Sequence, residues 1–181
     1  MAADCPQAPA RPGQAGAVRP RLLRAYYASD YAVGAAVVRI GRRSAAMDAL
    51  LVRLRARTGV FVTAWNPLSR RMPAGWNDRM QRRLSERLRR YVSLPASGSL
   101  RHWHEAHMMV LADPRQVMRL ARVFRQRGVV LVAQYRPARL VLLDWSDMAP
   151  LAVIRRDHPT ISTPQYRGSL PRRSRLLLSL L

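Results

Sequence analysis

Thr63, Trp65 and Asn66 stand together where an apolar, β-prone run over residues 59–65 (GVFVTAW) gives way to Asn66-Pro67. A hydroxyl, an indole and a carboxamide in that order are able to orient a small polar or anionic ligand, the ring as a stacking plate and the amide as a reader of donors and acceptors. Glu105 adds a carboxylate able to take or give a proton, and Gln126 adds a second amide. In open α/β sheets ligands bind beyond the carboxyl ends of the strands, which is where the triplet falls if residues 59–65 form a parallel strand. The plain alternative needs no ligand: Thr63 bonds a neighbouring backbone group, Trp65 is core, and Asn66-Pro67 is a turn closed by an Asx-type bond.

Other chemistries find less to work with. His102, His104 and His107 flank Glu105, but a zinc-binding helix needs two histidines four apart with glutamate beside the first, and His104 and His107 are three apart next to a predicted strand. If the stretch is extended, His102 and His104 share a face and supply two ligands with no third in sight. No metal and no cofactor is expected. The chain lacks a GxSxG elbow, a Walker loop and a GxGxxG turn after a strand. Asp144 and Asp147 are at most a weak acidic pair, and a polar strand exit accounts for them. No catalytic residue is assigned.

The formal charge of +22 comes from 32 basic residues against 10 acidic ones. All 32 are arginine, the drift of a GC-rich genome, yet drift does not explain the shortage of carboxylates, and such a field attracts any polyanion. Arg79, Arg82 and Arg83 on one expected helix, and Arg115, Arg119 and Arg122 on another, make two cationic faces. They offer the alternative function, a nucleic-acid-binding protein, although the aromatic signatures of the common RNA modules are missing. The termini hold arginines of their own and are expected to supply most of any polyanion binding.

The positioning elements follow from periodicity. Residues 25–39 hold two β-prone runs around Gly34, the pattern of a hairpin or a bent strand pair. A helix starts after Ser44 with Met47, Leu50, Leu51 and Leu54 on one face, and Gly59 is expected to stop it. A second, over residues 76–90, carries Trp76, Met80, Leu84 and Leu88, with Asn77 or Asp78 near its start as cap. Residues 107–112 read as a buried strand. Asp113-Pro114 then opens a third helix bearing Val117, Leu120, Ala121 and Phe124, with Gly128 as its left-handed cap. Strands at 129–133 and 140–143 complete an order of roughly ββαβαβαββ. The expected fold is α/β: one layered domain with a mixed, mostly parallel sheet and about three helices. Residues 1–21 are expected as a disordered basic head, 22–147 as the domain and 148–181 as a poorly ordered basic tail. No apolar run is long enough to cross a bilayer, the opening residues lack a signal-peptide pattern, and Cys5 is alone, so a cytoplasmic protein is expected.

Several spaced pieces resemble a bacterial family catalogued only as a domain of unknown function, number 3293. They are the early tyrosines, Ile40-Gly41, the run FVTAWNP (residues 61–67) with Ser69, Asn77, Trp103 with Glu105, and Phe124 with Gln126. The resemblance implies no activity. It marks Thr63, Trp65, Asn66, Glu105 and Gln126 as the candidate ligand-binding residues of a small α/β module.

Overall fold

The structure is a computed structural model that describes residues 20–143 and the backbone of Pro150–Val153. The expected head up to residue 19, the acidic pair Asp144 and Asp147, and the tail from residue 154 lie outside the described residues. The chain runs α1 (Pro20–Ala28), β1 (Asp30–Val33), β2 (Ala36–Val38), α2 (Ala45–Arg53), β3 (Thr58–Val62), α3 (Ala74–Leu88), β4 (Val92–Leu100), β5 (Trp103–Leu111), α4 (Pro114–Val123), β6 (Gly128–Ala133), β7 (Arg139–Leu143) and β8 (Pro150–Val153).

The sheet order is β2-β1-β4-β5-β3-β6-β7-β8, and every ladder in it is antiparallel. This overturns the expected mostly parallel sheet, and the reason lies in the crossovers. α3 links β3 to β4, which do run in the same direction, but β5 lies between them. α4 likewise links β5 to β6 across β3. Alternating strands and helices therefore make two interlocked split βαβ units, a ferredoxin-like arrangement, with no parallel neighbours. The two ends of the sheet also curl toward each other. Ile40, just past β2, bridges Ala138 before β7, and Gly41 N–H donates to Ala138 O at 2.8 Å.

Helices cover both faces. α3 and α4 share one core with Val60, Val62, Val110 and Val129. On the other side Phe61, Met109, Leu140 and Tyr31 pack with Met47 and Leu51 of α2 and with Tyr26 of α1. β3 is thus buried on both sides, as its unbroken apolar run requires, and that run cannot distinguish a parallel from an antiparallel sheet once both faces are covered.

Three further expectations are corrected. The helix count among the described residues is four, since α1 occupies Pro20–Ala28 and overlaps the start of the β-prone run at Ala25. Strand β4 is absent from the expected order because its sequence, VSLPASGSL, holds proline, glycine and four small polar or apolar residues of weak β preference. Pro95 is tolerated because β1 pairs with β4 only at Ser97, Gly98 and Ser99, so no ladder needs its missing N–H on that side. Finally, Gly59 and Gly128 do not cap helices but belong to β3 and β6. Arg55 (φ 52°) and Arg125 (φ 54°) take the left-handed position instead. Ala56 N–H reaches Leu51 O and Gln126 N–H reaches Ala121 O, both at 2.9 Å, so α2 and α4 end in the same Schellman closure. The Asp113 cap and the hairpin around Gly34 form as expected, and α2 starts after Ser44, whose side chain caps it by accepting Met47 N–H.

Candidate functional site

Directly after β3 the chain enters a loop whose backbone is unusual. Asn66, Leu68 and Ser69 all have positive φ, at 49°, 52° and 59°, in a stretch without glycine. Side chains in the left-handed region cost roughly 1 kcal/mol each or more, so the surroundings must hold the loop in place. They do so through buried polar groups. Thr63 donates its hydroxyl to Ala106 O at 2.6 Å and accepts Trp65 N–H at 3.0 Å. Gln81 takes Ala64 N–H at 3.1 Å, and Gln126 donates to Trp65 O at 2.8 Å.

Asn66 is the centre of the arrangement. Its amide nitrogen donates to Glu105 Oε1 at 2.7 Å, while its carbonyl accepts Met72 N–H at 2.9 Å and Asn77 Nδ2 at 3.2 Å. Its own N–H goes to Asn77 Oδ1 at 3.1 Å. Glu105 Oε1 also takes the Trp103 indole N–H at 3.0 Å. Arg71 lies over the Trp103 ring, 5.7 Å from its centroid. From beyond α4, Arg125 O accepts Leu68 N–H at 2.7 Å, and Arg127 reaches Leu68 O.

The candidate residues therefore converge. Thr63, Asn66 and Gln126 are buried, Glu105 and Trp65 half-buried, and the loop, β5 and the end of α4 bring all five together. Glu105 sits within β5 rather than ahead of it, and Gln126 lies past α4 in the Schellman closure. Trp65 Nε1 is buried with no partner among the described residues. Tyr26 of α1 lies beside this loop: burial pushes its hydroxyl up to about 12, against the Ser69 hydroxyl, with Glu105 adding to the rise.

Two residues of the network are not among the candidates that the sequence suggests. Asn77 looks like a cap, yet α3 begins after Pro73 and Asn77 is buried inside it. Gln81 carries no motif of its own. Their signal is present nonetheless: positions 77, 81, 84 and 88 share one helical stripe, and two amides on an otherwise apolar stripe must be satisfied by something beneath it. Next along β5, His107 is buried against Tyr31, with ring centroids 5.8 Å apart, and burial holds its imidazole below the usual histidine range, against the pull of Glu105. Among the described residues no three of His, Cys, Asp and Glu gather as a metal site.

The arginines of the alternative reading take a different side. Arg79, Arg82 and Arg83 of α3 and Arg115 and Arg119 of α4 are exposed, on helices that pack against the same sheet face. Arg122 is half-buried, with its Nε and one terminal nitrogen enclosed and unpartnered. One crevice of about 10 Å³, room for a water, lies away from both regions among Val38, Met47, Asp48, Val132 and Arg136. No helix among the described residues is long and apolar enough to cross a membrane.

No curated protein and no solved structure matches the chain. A family model does, over residues 62–129, a segment that runs from the end of β3 through α3, β4, β5 and α4 into β6 and so contains the Asn66 network. Over this segment the chain is similar to the family described as "Protein of unknown function (DUF3293)".

Proposed function

We propose that the loop after β3 binds a small polar or anionic ligand at its outer lip, where Glu105, Trp103 and Arg71 meet. The observation that supports this most is the strained loop itself. Three left-handed residues and a buried, unpaired indole N–H are an expensive way to make a turn, and such outliers concentrate where a chain has a function to serve. Of the pieces that carry the family resemblance, Tyr26, Thr63, Asn66, Ser69, Asn77, Trp103, Glu105 and Gln126 gather around this loop although they come from α1, α3, β5 and the segments after β3 and α4. Trp103 is 41% exposed and offers a stacking surface, Glu105 takes donors, and Arg71 meets a negative group. A thermal-shift screen against metabolites and nucleotides is expected to find compounds that stabilise the protein and fail to stabilise Glu105→Gln. Equal responses from both proteins would defeat the proposal.

A second reading is nucleic-acid binding through helix-borne arginines. Its support is that α3 and α4 stand on one face of the sheet, so their arginines form one surface instead of pointing to opposite sides. The two readings use opposite faces of the sheet.

A further inference from the structure

We infer that the outer surface of α3 and α4 grips the phosphate backbone of duplex DNA, by charge and shape and without reading bases. The inference rests on the second reading above and gives it a substrate class. Arg79, Arg82, Arg83, Arg87 and Arg90 of α3 and its exit are exposed, as are Arg115, Arg119 and Arg125 of α4 and its exit. No arginine of either helix enters an ion pair among the described residues, so their charge is uncommitted. The split crossovers set the two helices antiparallel over neighbouring strands. An arginine row from residue 79 to 90 spans about 16 Å at 1.5 Å per residue. Two arginine-bearing helices on one sheet face suit the two backbones on either side of a B-form major groove about 12 Å wide. The major groove of A-form RNA is too narrow to be straddled in this way.

What the surface lacks is as informative. Single strands are held by stacking bases on aromatic side chains, and the exposed aromatics Trp103 and Tyr135 lie on neither helix. The opposite sheet face, the usual platform for stacked bases in sheets of this topology, is covered by α1 and α2. Apart from Arg90, which lies over the Tyr91 ring, these arginines have no aromatic partner among the described residues, an arrangement suited to a duplex backbone. The same placement moves weight from the termini, where composition alone places it, to a folded surface.

The test is fluorescence anisotropy on the full chain across a salt series. The probes are a DNA duplex of two helical turns, its single strand and an RNA duplex of the same length. The variants are R82Q/R83Q/R87Q/R115Q/R119Q, whose side chains are all exposed, and the tail substitution R172Q/R173Q/R175Q as a control. Duplex DNA should bind tightest, and the helix variant should lower the log–log salt slope by about 4 to 5, near 0.9 for each phosphate no longer neutralised, with a smaller change for the tail variant. Equal or tighter binding of the single strand or the RNA duplex overturns the inference, as does an unchanged slope in the helix variant. Absence of salt-dependent binding to all three probes would remove the second reading itself.

Discussion

Asn66 and Glu105, 39 positions apart, are joined by a 2.7 Å hydrogen bond from the Asn66 amide nitrogen to the carboxylate, and the same Asn66 holds α3 through Asn77. One side chain therefore ties the strained loop to β5 and to a helix on the other face. Replacing it with aspartate keeps the acceptor for Met72 N–H but loses the donor and sets two carboxylates against each other. Asn66→Asp should lose about 1–3 kcal/mol in urea unfolding, and adding Glu105→Gln should recover at least half of that, because a glutamine amide donates where the carboxylate could not. Independent, additive losses would show that the two residues do not act as a pair.

Gly98 is required by His107. A Cβ at position 98 would lie 2.7 Å from His107 Cε1 and 3.1 Å from its Nδ1, and the imidazole is boxed in by Tyr31. Gly98→Ala should therefore cost about 1–3 kcal/mol by overpacking. In the background of His107→Ala, the same change should cost much less, a difference that thermal melts of the four proteins would reveal.

His107 also sets a pH dependence. Its folded-state pKa lies below the unfolded value of about 6.5, because burial disfavours the imidazolium more than Glu105 favours it. Protons therefore bind the unfolded chain more readily. Stability should be full above about pH 6.5 and decline as pH falls below it, toward the folded pKa. Glu105, His104 and Tyr31 are the titratable neighbours, so His107→Gln is the control. Unfolding midpoints between pH 7 and pH 5 should fall more steeply in the wild type than in this variant.

Helices α2, α3 and α4 and the hairpin around Gly34 are legible in the sequence because their signals are local, whereas α1 and the β4–β5 hairpin are not. Ser44 and Asp113 cap where their side chains can reach the next N–H groups, and the stripes of α2, α3 and α4 face the core. Strand direction is not legible, because the order of strands and helices is the same whether a crossover lands beside its strand or one strand further on. β4 is hidden by Pro95 and Gly98, whose acceptability depends on how far β1 extends and where His107 points. The five candidate residues do gather around one loop, yet of their partners Gln81 carries no motif and Asn77, a piece of the resemblance, reads as a helix cap, since polar residues on an apolar stripe gain their role only from the loop beneath them.

The left-handed closures that contain no glycine suggest a stabilising change. Arg55 occupies the position that ends α2, where a Cβ is penalised and glycine is not. Arg55→Gly should raise stability by about 0.5–1 kcal/mol, visible as a higher melting temperature. A lower one would mean that the arginine side chain contributes more there than the backbone loses.

Calorimetric titration of the Trp103→Ala protein tests the ligand-site proposal most directly, using the strongest stabiliser from the screen. The ring is exposed at the lip, so its removal should leave the unfolding midpoint nearly unchanged, while Glu105 keeps its bond to Asn66. If the lip of the loop is the site, affinity should fall at least tenfold, about 1.4 kcal/mol, as expected for loss of a stacking surface. Unchanged affinity with an unchanged midpoint would contradict it and leave the Asn66 network as a structural tie.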